Sequence, residues 1–177
     1  LLDDFNRPNG SLGANWFEVN PGAYTIQSDA VRMTDSTSGV GIWSSTRFGA
    51  NQQACVRFTS LVDSGFVGLA LKSSHNNVSP SSVVFVVMRS SSDLEVWTYD
   101  SANDMVQWGI TPGSMSPGDV LGAIARSDGT VEAYVNTTQV LTVDLDGWGH
   151  ETSDGYIGIT GEAIGSPVTV DDFGGGD

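Results

Sequence analysis

The 177-residue sequence predicts an all-β chain folded as an antiparallel two-sheet β-sandwich of jelly-roll type. Three observations carry that expectation. No long stretch repeats apolar residues at helical spacing. Short runs rich in Val, Ile, Thr, Tyr, Phe and Trp recur from one end of the chain to the other. Gly, Asp, Asn, Ser or Pro closes each run, at intervals of roughly 8 to 14 residues.

Fourteen runs qualify, and each has a local reason. NWFEV comes first, then AYTIQS and AVRMT, separated by Ser28-Asp29, which suits a tight reversal. VGIWSS and ACVRFTS follow; Cys55 in the second sits in an alternating pattern and reads as a half-buried thiol. In FVGLALK, Val67, Leu69 and Leu71 alternate with Gly68, Ala70 and Lys72. SVVFVVMR is apolar on both faces up to Arg89, as in a strand covered from two sides. LEVWTYD divides into Leu94, Val96 and Thr98 on one face and Glu95, Trp97 and Tyr99 on the other. MVQWGI puts Gln107 and Trp108 on opposite faces. Between VLGAIAR and VEAYVN, Asp128-Gly129 is a strong two-residue hairpin signal. VLTVDL, GYIGIT and VTVDDF complete the series.

Segments 73–82, 111–119 and 144–155 are longer and polar, and such loops on a rigid scaffold often carry function. No repeat or composition shift divides the chain. One domain over residues 1–173 is expected, with 174–177 a Gly-rich tail or the start of a linker.

Charge narrows the partners. Asp and Glu number 21 against 7 Lys and Arg, a formal net charge of -14. That surface repels phosphate backbones and anionic lipid, so nucleic acid is not an expected partner. No apolar run approaches the ~18 residues of a membrane helix, and no membrane insertion is expected. A single cysteine forms no internal disulfide. Leu1 in place of an initiator Met fits a mature product or an excised piece, and an extracellular setting (secreted, cell-surface or virion) is expected.

The motifs at the two ends point further. DDFNRPNGSLGANW near the start, GYIGIT, and VDDFGGG at the close resemble the concanavalin A-like lectin/glucanase superfamily, and within it the laminin-G-like modules of bacterial and phage proteins. The resemblance implies that strands from both chain ends lie side by side in one sheet. Asp3, Asp4, Asp171 and Asp172 would then converge, and four like charges need a neutralising partner. Many members of the superfamily carry a structural calcium held near the two ends. The resemblance therefore implies calcium as a cofactor with these four Asp as its ligands, Asp171 foremost. The alternative is pairing with Arg7 or Arg32. Asp144-x-Asp146-Gly147 is a fragment of a calcium-loop pattern without its remaining ligands, and serves equally as a turn.

Glucanases of this superfamily carry Glu-x-Asp-x-x-Glu on one strand, and none of Glu18, Glu95, Glu132, Glu151 or Glu162 begins that pattern. A lyase would need a Tyr/His pair; Tyr99, His75 and Arg89 supply the residue types without a demanding spacing. Catalysis is not expected. The face holding Glu95, Trp97 and Tyr99, with Arg89 on the preceding strand, mixes flat aromatic rings with polar groups in the way lectin-type clefts do. Trp148, flanked by glycines in an acidic loop, is expected to be the most exposed tryptophan and a further ligand contact. The expected function is recognition of a polysaccharide or glycan without turnover. The alternatives are an assembly domain of a virion or fibre, touching other domains or its own copies, and an atypical glycoside hydrolase or polysaccharide lyase.

Overall fold

The computed structural model describes residues 1–177 apart from 34–37, 62, 63, 79, 91, 103, 165 and 166. Among the described residues, fourteen strands form two seven-stranded sheets, and each predicted run supplies one of them. In spatial order the first sheet is β1 (Trp16–Glu18), β4 (Gly39–Trp43), β13 (Tyr156–Ile164), β6 (Ser64–Ser73), β7 (Ser82–Arg89), β8 (Asp93–Asp100) and β9 (Asp104–Pro112). The second is β12 (Thr138–Asp144), β11 (Thr130–Val135), β10 (Val120–Ala125), β5 (Gln52–Phe58), β14 (Thr169–Gly176), β3 (Val31–Met33) and β2 (Tyr24–Ile26). Every pairing between named strands is antiparallel, so the two layers make a jelly-roll sandwich.

Period-two alternation places the core between the sheets. Val67, Leu69 and Leu71 of β6, Val84, Val86 and Met88 of β7, and Leu94 and Val96 of β8 are fully buried. Val56 and Phe58 of β5, Leu121 and Ala123 of β10, and Val170 of β14 meet them from the other layer. Two of the long loops close this core: Met115 comes from the segment after β9, and Leu145 and Trp148 from the segment after β12.

The hairpins reverse the expected order of strength. Ser28-Asp29 makes the two-residue turn, with φ of 54° and 60° and a bond from the Gln27 N–H to the Ala30 carbonyl at 2.9 Å. Asp128-Gly129 instead belongs to a four-residue connection, 126–129. Only Gly129 is left-handed there, and Arg126 N–H donates to the Thr130 carbonyl. Nor is 174–177 a tail. Gly174, Gly175 and Gly176 pair with Cys55, Ala54 and Gln53, so β14 runs to Gly176 through a bulge. Lys72 also departs from the alternation that groups it with Gly68 and Ala70. It adopts φ 52° where the pairing of β6 with β13 shifts register, and it is buried. Its ammonium donates to the carbonyls of Ala50, Glu151 and Ser153, tying two loops together.

The chain ends meet, but through an isolated bridge and not as two paired strands, since the first strand, β1, lies in the opposite sheet from β14. Asp3 and Phe173 form an antiparallel bridge: Phe173 N–H donates to the Asp3 carbonyl at 2.9 Å, and Leu2 and Asp3 N–H donate to the Phe173 carbonyl at 2.9 and 3.1 Å. The Asp3 carboxylate lies beside this bridge and accepts from both terminal nitrogens of Arg7 (2.6 and 3.0 Å), from Trp16 Nε1 (2.7 Å) and from Phe5 N–H (2.9 Å). Trp16 in turn packs on Phe173 (5.0 Å between ring centroids), Phe5 (5.8 Å) and Trp43 (5.5 Å). Both Asp-Asp-Phe motifs thus contribute a fully buried phenylalanine to one tryptophan.

Burial alone pushes the Asp3 carboxyl up, but donation from Arg7, Trp16 and Phe5 outweighs it and holds the pKa below its ordinary value of 3.8. The sign follows: Asp3 contributes its full stabilisation above the unfolded-chain pKa and loses it as pH falls through the lower, folded value. Asp3→Ala is expected to remove about 2–4 kcal/mol and lower Tm at pH 7 by roughly 5–15 °C, with a shrinking difference from the parent in acid. Thermal melts of both proteins at a series of pH values check this.

Candidate functional site

A depression on the first sheet lies on its outer face, away from the core. It has a volume of about 430 Å³ and is lined by Ser38, Val40, Phe66, Phe85, Val87, Arg89, Trp97, Met105 and Thr160. Strand periodicity explains its composition. Phe85, Val87 and Arg89 alternate with the core residues of β7, and Trp97 alternates with those of β8. Gly68, the cross-strand partner of Val87, lets the backbones of β6 and β7 approach closely beside them. A Cβ at that position would stand 2.1 Å from the Val86 carbonyl oxygen, so no side chain fits there.

Three of the residues singled out in the sequence come together here. Arg89 Nε donates to both carboxylate oxygens of Glu95 at 3.1 Å, and Trp97 Nε1 donates to Glu95 Oε2 at 2.7 Å. The two donors cover the carboxylate, leaving Glu95 only 4% exposed, while the Arg89 side chain is 45% exposed. Glu95 is therefore not a hydroxyl-binding group. It fixes an indole ring and a guanidinium in place, and the two charges cancel locally. Arg89 also lies over the Phe66 ring, 5.9 Å from its centroid.

Tyr99 shares the outer face but not the groove; it packs with Ile42, Ala70, Val83, Phe85 and Tyr156 in a small apolar cluster alongside. Trp148 is elsewhere. Far from being exposed, it is 93% buried by the 7% exposure it retains, sits in the inter-sheet core, and meets His150 edge-on at 5.2 Å. Its flanking glycines, both at positive φ, turn the loop inward and deliver the ring to the core. The bulge in the pairing of β8 and β9 sets Gln107 opposite Trp97 and lets Trp108 Nε1 donate to Thr98 Oγ1 on the core side, at 2.8 Å. Phe66, Phe85, Val87 and Met105 are the lining residues that residue type did not reveal. The signal for Phe85 and Val87 was the second apolar face of SVVFVVMR, which reads equally well as buried strand; Phe66 and Met105 come from β6 and β9 and carried no such signal.

The four terminal aspartates do not fit a calcium cage. The carboxylate of Asp3 is surrounded by donors, and Asp172 Oδ2 accepts from Arg57 Nε at 2.9 Å. Among the described residues no three acidic, His or Cys side chains stand together as a metal site. Asp171 keeps an unfavourable charge. Its burial, with the charges of Asp172 and Asp4, raises its pKa against the opposing pull of the Asp172 N–H and Arg57. A carboxyl whose folded pKa is raised destabilises the fold once pH exceeds that value. Asp171→Asn should therefore raise Tm at pH 7 and leave it unaffected by EDTA. A calcium ligand would give the opposite pair of results in thermal melts with and without chelator.

Solved structures superpose on nearly the whole chain. A carbohydrate-binding module, CBM66 from Bacillus subtilis, matches with a TM-score of 0.69 at 11% identity, over 92% of this chain and 96% of that one. A Bacillus subtilis protein of unknown function with a galectin-like fold matches with a TM-score of 0.70 at 11% identity, over 92% and 89%. A glycoside hydrolase family 16 endo-glucanase from Bacteroides ovatus matches with a TM-score of 0.67 at 10% identity, over 98% of both chains. At these identities the likeness is one of fold, and the fold is the concanavalin A-like jelly roll. No family model matches the chain, and no curated protein does.

Proposed function

We propose that this protein is an extracellular, non-catalytic carbohydrate-binding domain that receives a saccharide in the groove over Phe85, Val87 and Trp97. The observation that carries the reading is the Trp97 ring, fixed by its bond to Glu95 at the side of an apolar groove. A rigid aromatic wall suits the CH face of a sugar ring, and little side-chain entropy remains to be lost on binding. The presence of a carbohydrate-binding module and a glucanase among proteins of this fold supports saccharides as the ligand class.

Binding without turnover is favoured by the lining itself. Glycoside hydrolysis by the usual route needs two carboxyl groups facing the scissile bond. No carboxylate lines the groove among the described residues, and Glu95, which holds Trp97 in place, is already occupied by two donors.

Trp97→Ala is expected to weaken glycan binding at least about 30-fold, as loss of a stacked aromatic at about 2 kcal/mol would do, without changing the fold. Glycan-array screening followed by isothermal titration, with circular dichroism as the folding control, measures it. Equal binding by the variant, or polysaccharide turnover by the parent, would overturn the proposal.

A further inference from the structure

We infer that the groove selects saccharides esterified with acetyl groups over bare, fully hydroxylated ones; this rests on the saccharide reading above. The reason lies in the polar atoms that the lining leaves free. Six of its nine residues, Val40, Phe66, Phe85, Val87, Trp97 and Met105, present carbon. Trp97 spends its Nε1 on Glu95 Oε2. Thr160 spends its hydroxyl proton on the Gly39 carbonyl at 3.1 Å and is 2% exposed. Two polar groups remain. Ser38 is exposed and precedes β4, three strands from Arg89 on β7, or ~14 Å across the sheet. Arg89 uses Nε on Glu95, and among the described residues its two terminal nitrogens have no hydrogen-bond partner.

Those free groups do not match a bare sugar ring. Each hydroxyl is donor and acceptor at once, and one that leaves water for the groove needs a partner in both roles. Arg89 can only donate. Beside it no lining side chain is free to accept. The Glu95 carboxylate is buried under two donors, and Glu162, the β13 partner of Phe66, does not line the groove. An acetyl ester reverses the demand. Its carbonyl accepts and donates nothing, and its methyl asks only for carbon. An N-acetyl group has the same carbonyl and methyl but adds an N–H, which would face this wall without an acceptor.

Register sets the donor and the carbon side by side. Phe66 of β6 is the cross-strand partner of Arg89, and the guanidinium lies over that ring, 5.9 Å from its centroid. Val87 is two residues back along β7 on the same face, ~7 Å away. A carbonyl that accepts from a terminal nitrogen of Arg89 thus has Phe66 and Val87 within reach of its methyl, while the sugar ring lies against Trp97. One carboxylate holds both groups: Glu95 accepts from Arg89 Nε at 3.1 Å and from Trp97 Nε1 at 2.7 Å. The donor for the ester and the ring for the sugar therefore keep a fixed separation. An acetylated saccharide is also neutral, so the acidic surface does not oppose it.

The test removes the ester and leaves the sugar. O-acetylated xylo-oligosaccharides and O-acetylated glucomannan oligosaccharides, each before and after mild alkaline deacetylation, are titrated calorimetrically into the wild-type protein beside N-acetylated chito-oligosaccharides. At least one O-acetylated series is expected to bind and to lose at least about tenfold in affinity on deacetylation, as removal of a methyl and a bonded carbonyl from an apolar site would do. The N-acetylated series is expected to bind no more tightly than the deacetylated ones. Equal binding before and after deacetylation would overturn ester selection while leaving saccharide binding intact, and so would an N-acetylated series that binds more tightly than both esters. No binding by any of these samples would overturn ester selection, and with an empty glycan array the saccharide reading as well. The double variant Arg89→Met/Glu95→Gln removes the guanidinium without stranding a carboxylate and keeps an acceptor for Trp97 Nε1. It is expected to lose the preference for the ester; a folded variant that keeps it would count against Arg89 as the donor and against the inference.

Discussion

The sandwich depends on a single carboxylate. Asp3 joins the first residues of the chain to its last strand through the backbone, and its side chain reaches Trp16 at the start of β1 in the opposite sheet. Two layers that each end in three-residue edge strands, β1 and β2, are thereby held by a buried charge-assisted hydrogen-bond cluster on one side. The rings of Phe5, Trp16, Trp43 and Phe173 fill the space beneath it. Phe5 accepts a left-handed backbone, φ 50°, to get there. Such a conformation is unfavourable for a bulky residue and persists only where the surroundings over-determine it. Here the Asp3 acceptor on the Phe5 N–H and the aromatic packing supply that constraint.

Once the layers are fixed, the outer face of the first sheet is released from core duty. Its β7 row nevertheless remains apolar, which a solvated antiparallel sheet has no reason to maintain. Part of that apolar surface is covered by Tyr99 and Tyr156, in the cluster around Ile42, Ala70 and Val83. The remainder forms the groove. The bonds from Arg89 and Trp97 to Glu95 fix two of its walls, and they join strands, not loops. A site built on paired strands is held more rigidly than one on loops, which favours the pre-organised recognition of a ligand with few soft contacts.

The extent to which this was legible follows from the range of the interactions. Alternation in LEVWTYD sorted Leu94, Val96 and Thr98 from Glu95, Trp97 and Tyr99 correctly, because a strand has only two faces. The meeting of the chain ends came from resemblance between motifs, and the backbone bridge at Asp3 and Phe173 bears it out. What alternation cannot supply is the identity of the neighbouring strand. That Trp97 donates to a glutamate two positions away, and that Arg89 reaches the same glutamate from β7, depends on register. Trp148 was misplaced for a related reason: glycines permit either an exposed or an inward loop, and only the unfilled end of the core decides between them. Lys72 escaped its alternation at a bulge, a one-residue irregularity with no distinctive sequence mark.

The use of positive charge ties the fold to the proposed ligand. Of the seven basic side chains, Arg7, Arg47, Arg57, Arg89 and Arg126 each pair with a carboxylate, and Lys72 is held by backbone carbonyls. Six of the seven cations are thus committed to the protein's own acceptors, while most of the 21 acidic groups have no cation to meet. An anionic polymer approaching this chain meets net repulsion that the Arg89–Glu95 pair, neutral as a unit, does not offset. A neutral saccharide meets neither attraction nor repulsion at long range. Its binding then depends on short-range stacking and on the donors that Arg89 retains, so affinity resides in the shape of one groove and in the angle at which Glu95 holds Trp97.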